Sequence, residues 1–208
     1  MRIKRVFMTA VLGMLISASG ALADSEWQSL HFRDHKLVGK IYTSPDRQQL
    51  TLDEVKQRAA KARFVLLGEI HTNPDHHRLQ AQILQHMIDQ GRRPAVVIEM
   101  ITRAQQPVLD FFTVNPTDNA DDIAARLEWD KSGWPDFAMY KPIFEIALKN
   151  RLALRAGNLE KGTIRRLGGR VGSKLTDDER AQLGLNTPLA AETAKSLLKE
   201  IAESHCNM

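Results

Sequence analysis

Cysteine is nearly missing from this 208-residue chain: Cys206 is the only one, so no intramolecular disulfide can form, whatever the redox state of its compartment. Aromatic residues make up only 6%, with two tyrosines and three tryptophans, so any that fall beside a polar cluster are worth weighing. After the first two dozen residues no apolar run approaches the roughly 20 residues of a membrane-spanning helix. There is no internal repeat and no low-complexity linker, which excludes solenoids and strings of tethered modules. The glycines between residues 159 and 175 do not follow a strand in a G-x-G-x-x-G or P-loop frame, which argues against a nucleotide cradle. The arginines and lysine among them, Arg165, Arg166, Arg170 and Lys174, read as a solvated loop more readily than as an anion site.

What is present begins with a leader. Arg2, Lys4 and Arg5 precede an apolar stretch from Val6 to Ile16, and small residues end at Ala21-Leu22-Ala23. This is the pattern of a secretory signal peptide over residues 1–23, with an A-x-A cleavage site. No cysteine follows to accept a lipid, so the expected product is a periplasmic protein, beginning near Asp24, without a lipoprotein anchor. The 29 basic residues less three in the leader leave 26, against 25 acidic ones. The net charge of +1 removes the main argument for nucleic acid binding. Residues 24–208 suit one domain with a sizeable core.

Periodicity predicts the elements. Lys36 to Thr43 reads as a short strand. Thr51 and Glu54 form a capping box for a helix to about Ala62. Phe64 to Leu67 is a short apolar run that predicts a strand buried on both faces. Asn73-Pro74-Asp75 then opens a helix to about Gln90, with Leu79, Ile83, Leu84, Met87 and Ile88 on one broad face and Gly91 ending it. The sequence PAVVIEM is a second buried strand, so two strands joined by one helix predict a right-handed parallel βαβ unit. Helices follow from Thr102 to Phe112, from Asp118 or Asn119 to Leu127, and from about Met139, with Ile143, Phe144, Ala147 and Leu148 inward. Arg151 to Ala156 is a third strand. Residues 159–175 read as a loop with one helical turn. Thr176 and Glu179 form another capping box, and Pro188 to Ser204 a final helix. The expected class is α/β, a mainly parallel sheet flanked by helices on both faces. No strand follows the last helix, so the C-terminal end of the fold is expected to be incomplete.

The chemistry concentrates where the first apolar run meets the helix. Glu69 and His71 are two apart, so on an extended bridge both side chains point the same way. His76 and His77 occupy the first turn of the helix, and Glu99 ends the neighbouring strand. The ends of strands in α/β sheets are where ligands bind. A lone histidine is usually structural or exposed; it is the gathering of two carboxylates and up to three imidazoles that points to a site. Three uses remain open. The set can bind a divalent metal and activate water, Glu69 and His71 can act as a general acid/base pair, or the cluster can simply hold the loop of an interaction module. Tyr140 follows Trp129, Trp134 and Phe137, and a phenolate beside flat apolar walls is one known axial ligand of haem iron. The two tryptophans are equally well explained as core, and Cys206 beside His205 as an ordinary free thiol.

The stretch LLGEIHTNPDHHRLQ, followed by VVIEM, WPDFAMYKPIFEIAL, LALRAGN and the late SHC, resembles the ChaN-like haem-binding proteins of bacterial envelopes. These are similar to a wider group, with erythromycin-esterase-like and TraB-like proteins, in sharing a strand that ends in G-E-x-H. The resemblance covers the chain from about Gly39 to Met208. It implies an α/β domain with haem as cofactor in a crevice at the strand ends, a role in haem or iron uptake or storage, and in some cases a homodimer sharing stacked haems. Carried onto this sequence, it makes Tyr140 the axial ligand of the haem iron and one of His71, His76 or His77 the supporting histidine, with Glu69 beside them. In the wider group Glu69, His71 and Glu99 match positions used for hydrolysis, so an esterase-like or metal-dependent hydrolase is the alternative. Lipoprotein members carry an acylated cysteine after the leader, which this chain lacks.

Overall fold

The computed structural model describes residues 27–115, 119–167 and 174–204. The predicted leader, Asp118, Arg170 and the His205-Cys206 pair lie outside the described residues.

Local sequence fixes most helix boundaries. Helix α1 (Leu52–Lys61) opens with the predicted capping box: the Thr51 hydroxyl accepts from the Glu54 N–H at 3.2 Å, and the Glu54 carboxylate accepts from the Thr51 N–H at 2.7 Å. Helix α2 (Pro74–Asp89) is capped by Asn73, whose side-chain oxygen accepts from the Asp75 N–H at 3.0 Å. It ends in a Schellman turn. The Gly91 N–H reaches the Ile88 carbonyl at 2.8 Å and the Arg92 N–H that of Met87 at 3.0 Å, and Gly91 takes φ +77°, the left-handed conformation that glycine adopts without strain.

Strands β1 (Ile41–Tyr42) and β2 (Gln49–Leu50) form a small antiparallel hairpin. Strands β3 (Val96–Thr102) and β4 (Leu154–Asn158) run parallel, Val96 opposite Leu154 and Ile98 opposite Ala156, with an irregularity before Thr102. Their crossover passes through a 3-10 turn (Arg103–Gln105) and helices α3 (Gln106–Val114), α4 (Ala120–Arg126), α5 (Trp129–Ser132) and α6 (Phe137–Lys149). Asn119 caps α4 and Asp136 caps α6. Beyond β4 lie α7 (Lys161–Leu167), α8 (Asp177–Gln182) and α9 (Ala191–Ser204). No helix among the described residues is long and apolar enough to cross a membrane.

The molecule is α/β, with its main core on one face of the parallel pair. Ile98, Met100 and Ile101 of β3 and Leu154 of β4 join Ala81 and Leu84 of α2, Leu109 and Phe112 of α3, Ile123 of α4, and Tyr140 and Phe144 of α6. Each large apolar side chain fully buried there contributes about 1.5–3 kcal/mol over leaving it exposed. The apolar face of α2 is divided: Ala81 and Leu84 meet this core, while Ile83 and Met87 pack on Ala59 of α1 and on Val65.

Several expectations change in detail. Phe64 to Leu67 is not a ladder strand. Val65 packs inward, whereas Phe64 and Leu66 are exposed at 74% and 90%. An apolar run announces apolar side chains on both faces, but only the Val65 side finds a cover among the described residues. The parallel unit is accordingly β3 to β4, with its crossover through α3 to α6. Val97 and Glu99, which alternate with Ile98 and Met100, face outward and are exposed. Helix α6 begins at Phe137, two residues before the expected start, because Asp136 accepts the Ala138 N–H at 2.9 Å. Strand β4 continues through Gly157-Asn158, and the first part of the expected 159–175 loop is helical as α7.

Candidate functional site

The bridge from Gly68 to Thr72 does bring an acid and imidazoles together, and Glu69 is their hub. Its side chain is only 8% exposed, and its two oxygens meet four groups. Oε1 lies 2.9 Å from His71 Nδ1 and accepts from the Tyr140 hydroxyl at 3.1 Å. Oε2 accepts from Gln80 Nε2 at 2.9 Å and lies 3.1 Å from His77 Nδ1. Three elements supply these partners: the bridge itself, the first two turns of α2, and the first turn of α6. The capped start of α2 therefore sets where His77 and Gln80 point, and the capped start of α6 does the same for Tyr140.

Burial pushes the Glu69 carboxyl up, as desolvation of a charge must. The hydrogen bonds from His71 and Gln80, the charge of His77 and the bond from Tyr140 outweigh it and hold the group below its ordinary value. Glu69 is thus a carboxylate that only accepts, which settles the neighbouring protons. His71 carries its proton on Nδ1 toward Glu69, leaving the Nε2 lone pair free; its side chain is 40% exposed. Trp134 stands edge-on to that ring, with centroids 5.0 Å apart.

His76 is the opposite tautomer. Its Nδ1 accepts from the Ile70 N–H at 2.9 Å, so in the neutral ring the proton sits on Nε2. His77 is fully buried, with Nε2 3.0 Å from the His71 carbonyl and its ring centroid 4.2 Å from that of Tyr140. Its Nδ1 lies 3.1 Å from Glu69 outside hydrogen-bond alignment.

Tyr140, the expected axial ligand, is 2% exposed and gives its hydroxyl proton to Glu69. Burial, the Glu69 carboxylate and then the charge of Glu99 all push the phenol up. In this arrangement it is a phenol donor, packed also against Trp129 at 5.1 Å between centroids. Glu99 stands on β3, exposed, and reaches the cluster through its charge on Tyr140. Of the two tryptophans, Trp129 is core, with its indole N–H bonded to the Pro135 carbonyl at 2.8 Å, while Trp134 belongs to the site. The left-handed Gly133, φ +85°, ends α5 immediately before Trp134.

Two site features escaped the sequence reading. Gln80 links the hub to the bridge, donating both to Glu69 and to the Leu67 carbonyl at 3.2 Å. The available signal was its position one turn after His76 and His77. Asp75, read as a first-turn acid, is buried and accepts from the Ser29 N–H at 2.8 Å while pairing with Arg78 at 3.2 Å.

Among the described residues, no group of three or more His, Cys, Asp or Glu side chains is arranged to hold a bare metal ion. The donor set on offer is one outward imidazole nitrogen with a carboxylate behind it. An imidazole oriented by a carboxylate is a donor that haem iron would accept.

Comparison with known proteins gives the family. No curated protein sequence matches the chain. A solved structure from Campylobacter jejuni, described as cofacial heme binding to ChaN, superposes with a TM-score of 0.54 at 20% identity, over 80% of this chain. At that identity the likeness shows the fold. This chain spans 63% of the length of that relative. A family model described as haem-binding uptake, Tiki superfamily, ChaN, matches residues 55–208, well over half of the sequence. The chain therefore belongs to the ChaN family of haem-binding uptake proteins, within the Tiki superfamily.

Proposed function

We propose that this protein binds haem at the bridge before α2, with His71 Nε2 meeting the iron. The observation that carries the reading is the Glu69 to His71 contact at 2.9 Å. It fixes the imidazole so that its one free nitrogen looks outward from a part-exposed ring. The residues fit haem in other respects. Leu67 and Ile70 are exposed apolar neighbours in the chain, Trp134 adds a flat wall, and His76 offers an outward N–H for an anionic group such as a propionate. Bound haem would supply the redox-active iron; the chain's own part is to orient the ligand and shield one face. Tyr140 is the supporting group here, a donor that helps keep Glu69 charged. Glu69 and His77 complete the set from the buried side.

The wider role we infer is that of an exported, periplasmic domain in haem or iron uptake or storage. The leader pattern and the family support it. A homodimer sharing stacked haems is the assembly we infer from the cofacial binding described for the C. jejuni relative. A hydrolytic use of Glu69, His71 and Glu99 is less well supported. It asks Glu69 for a lone pair free to face water, whereas its carboxylate, with a side chain only 8% exposed, already accepts from His71, Gln80 and Tyr140.

Titration of the purified protein with haemin tests this. The expected result is a saturable Soret band that His71→Ala weakens by about tenfold or more in affinity, with Tyr140→Phe weakening binding while the imidazole-type spectrum persists. A wild-type protein without saturable Soret change, or a His71→Ala variant that binds like it, overturns the proposal.

A further inference from the structure

The first described residues fasten onto the turn of α2 that carries two of the site histidines. Residues 27–40 contain no helix or strand, and Leu30 and Phe32 within them are exposed at 79% and 84%, so apolar burial does not hold this arm in place. Specific contacts do. The buried Asp75 carboxylate accepts from the Ser29 N–H at 2.8 Å and from the backbone of Gln28. Arg78, paired with Asp75 at 3.2 Å, sets its guanidinium over the Trp27 ring, 5.3 Å from the centroid, a cation–π contact. Gly39, at φ +70°, brings the arm back to the same indole. A Cβ there would lie 3.1 Å from Trp27 Cζ2, so glycine meets both the left-handed backbone and the close approach.

Asp75 stands between the Asn73 cap and the two histidines that grip the bridge. One residue on, His76 Nδ1 accepts from the Ile70 N–H at 2.9 Å; two residues on, His77 Nε2 lies 3.0 Å from the His71 carbonyl. The Asn73 N–H donates to the Ile70 carbonyl at 2.8 Å. A single helical turn is therefore laced both to the N-terminal arm and to the bridge. We propose that Trp27 to Ser29 form a strap that positions the bridge for haem through the first turn of α2, with Trp27 as the positioning residue that keeps the strap closed. The inference rests on the reading that haem is held at the bridge, and not on which residue meets iron. Gly68, Ile70 and Thr72 of the bridge are exposed, and segments with few buried contacts open locally at low free energy. A closed strap lowers the population of the open bridge, and by linkage a ligand that favours the closed bridge tightens the strap in return.

The test follows amide hydrogen exchange of the haem-free protein by NMR, with haemin titration of the same variants at the Soret band. Trp27→Ala should speed exchange of the Ile70 and Asn73 amides about fivefold and weaken haemin binding about fivefold. The Val96 amide, which donates to the Ala153 carbonyl at 2.8 Å where the β3–β4 pair begins, should keep its wild-type rate, and that contrast separates positioning from a general loss of stability. Trp27→Phe, which keeps a ring for Arg78, should restore most of both effects. In the wild type, haemin should slow tryptic cleavage after Lys36 and Lys40, exposed on the arm, more than cleavage after Lys195, exposed on α9. Ile70 and Asn73 amides that exchange at the wild-type rate in Trp27→Ala refute the inference, and so does an unchanged haemin affinity when their exchange is faster. A wild type that binds no haemin removes the site reading, while the exchange contrast still decides whether the strap positions the bridge. Should Trp27→Ala fail to fold in a thermal melt, haemin that slows cleavage after Lys36 and Lys40 no more than after Lys195 refutes the inference.

Discussion

Asp75 shows how much a single buried acid contributes near the site. Burial pushes its carboxyl up, but the backbone N–H groups of Ser29 and Gln28 and the Arg78 guanidinium more than compensate and hold it below 3.8. A carboxyl with a depressed folded value stabilises fully above its ordinary pKa and loses that contribution as pH falls through the depressed one. The melting temperature of the wild type should therefore drop as the pH is taken below about 3.8. Asp75→Asn, which leaves buried donors poorly matched, should cost about 1–3 kcal/mol at neutral pH and flatten that acid limb. A variant with an unchanged acid limb would show that the Asp75 contacts carry no stability. At this scale Glu69 and His71 were legible, because a two-residue spacing on an extended bridge is enough to aim both side chains together. His77 was legible as a member of the cluster but not as a buried one. It lies four and seven residues before Ala81 and Leu84, so it continues the core stripe of α2. Gln80 was not legible: a glutamine on a helix is ordinarily solvated, and only the approach of the bridge to α2 gives its amide two acceptors.

Helices carried the clearest sequence signals and strands the weakest. Both capping boxes, the Asn73 cap and the Gly91 stop were readable because each depends on residues within one turn. Asn73→Ala should therefore cost about 1 kcal/mol in denaturant unfolding and, by loosening the first turn that carries His77, also weaken haemin binding. Stability unaltered in that variant would mean that the cap is replaced by water. Deeper in the core, Phe144 has no exposed surface, and Phe144→Ala should cost about 3–5 kcal/mol, measured the same way. The segment Phe64 to Leu67 misled for a physical reason. Strand pairing depends on a partner supplied from elsewhere in the chain, and nothing within four apolar residues records whether one arrives.

As a whole, the molecule is one-sided. Among the described residues, the Ile98 and Met100 face of the parallel pair is covered by helices, while Phe64, Leu66, Ile70 and Val97 remain exposed, and exposed apolar surface favours association where it is contiguous. Replacing Leu66 and Val97 together with threonine should lower the binding of the dye ANS and the tendency to aggregate; equal dye binding in the double variant would place the sticky surface elsewhere. The overall class was legible from the order of helices and strands, but this asymmetry was not, because the alternation in β3 is hidden by apolar residues on both of its faces.

Trp134 gives the domain an optical handle of its own. Of the three indoles, Trp129 is enclosed by Phe137, Tyr140 and Phe144, and Trp134 is the one whose ring edge touches the imidazole proposed to meet iron. Energy transfer to a porphyrin reaches across a domain of this size, so occupancy can be followed by fluorescence of the indoles without a label, and Trp134→Phe should reduce the signal while leaving the Soret titration in place.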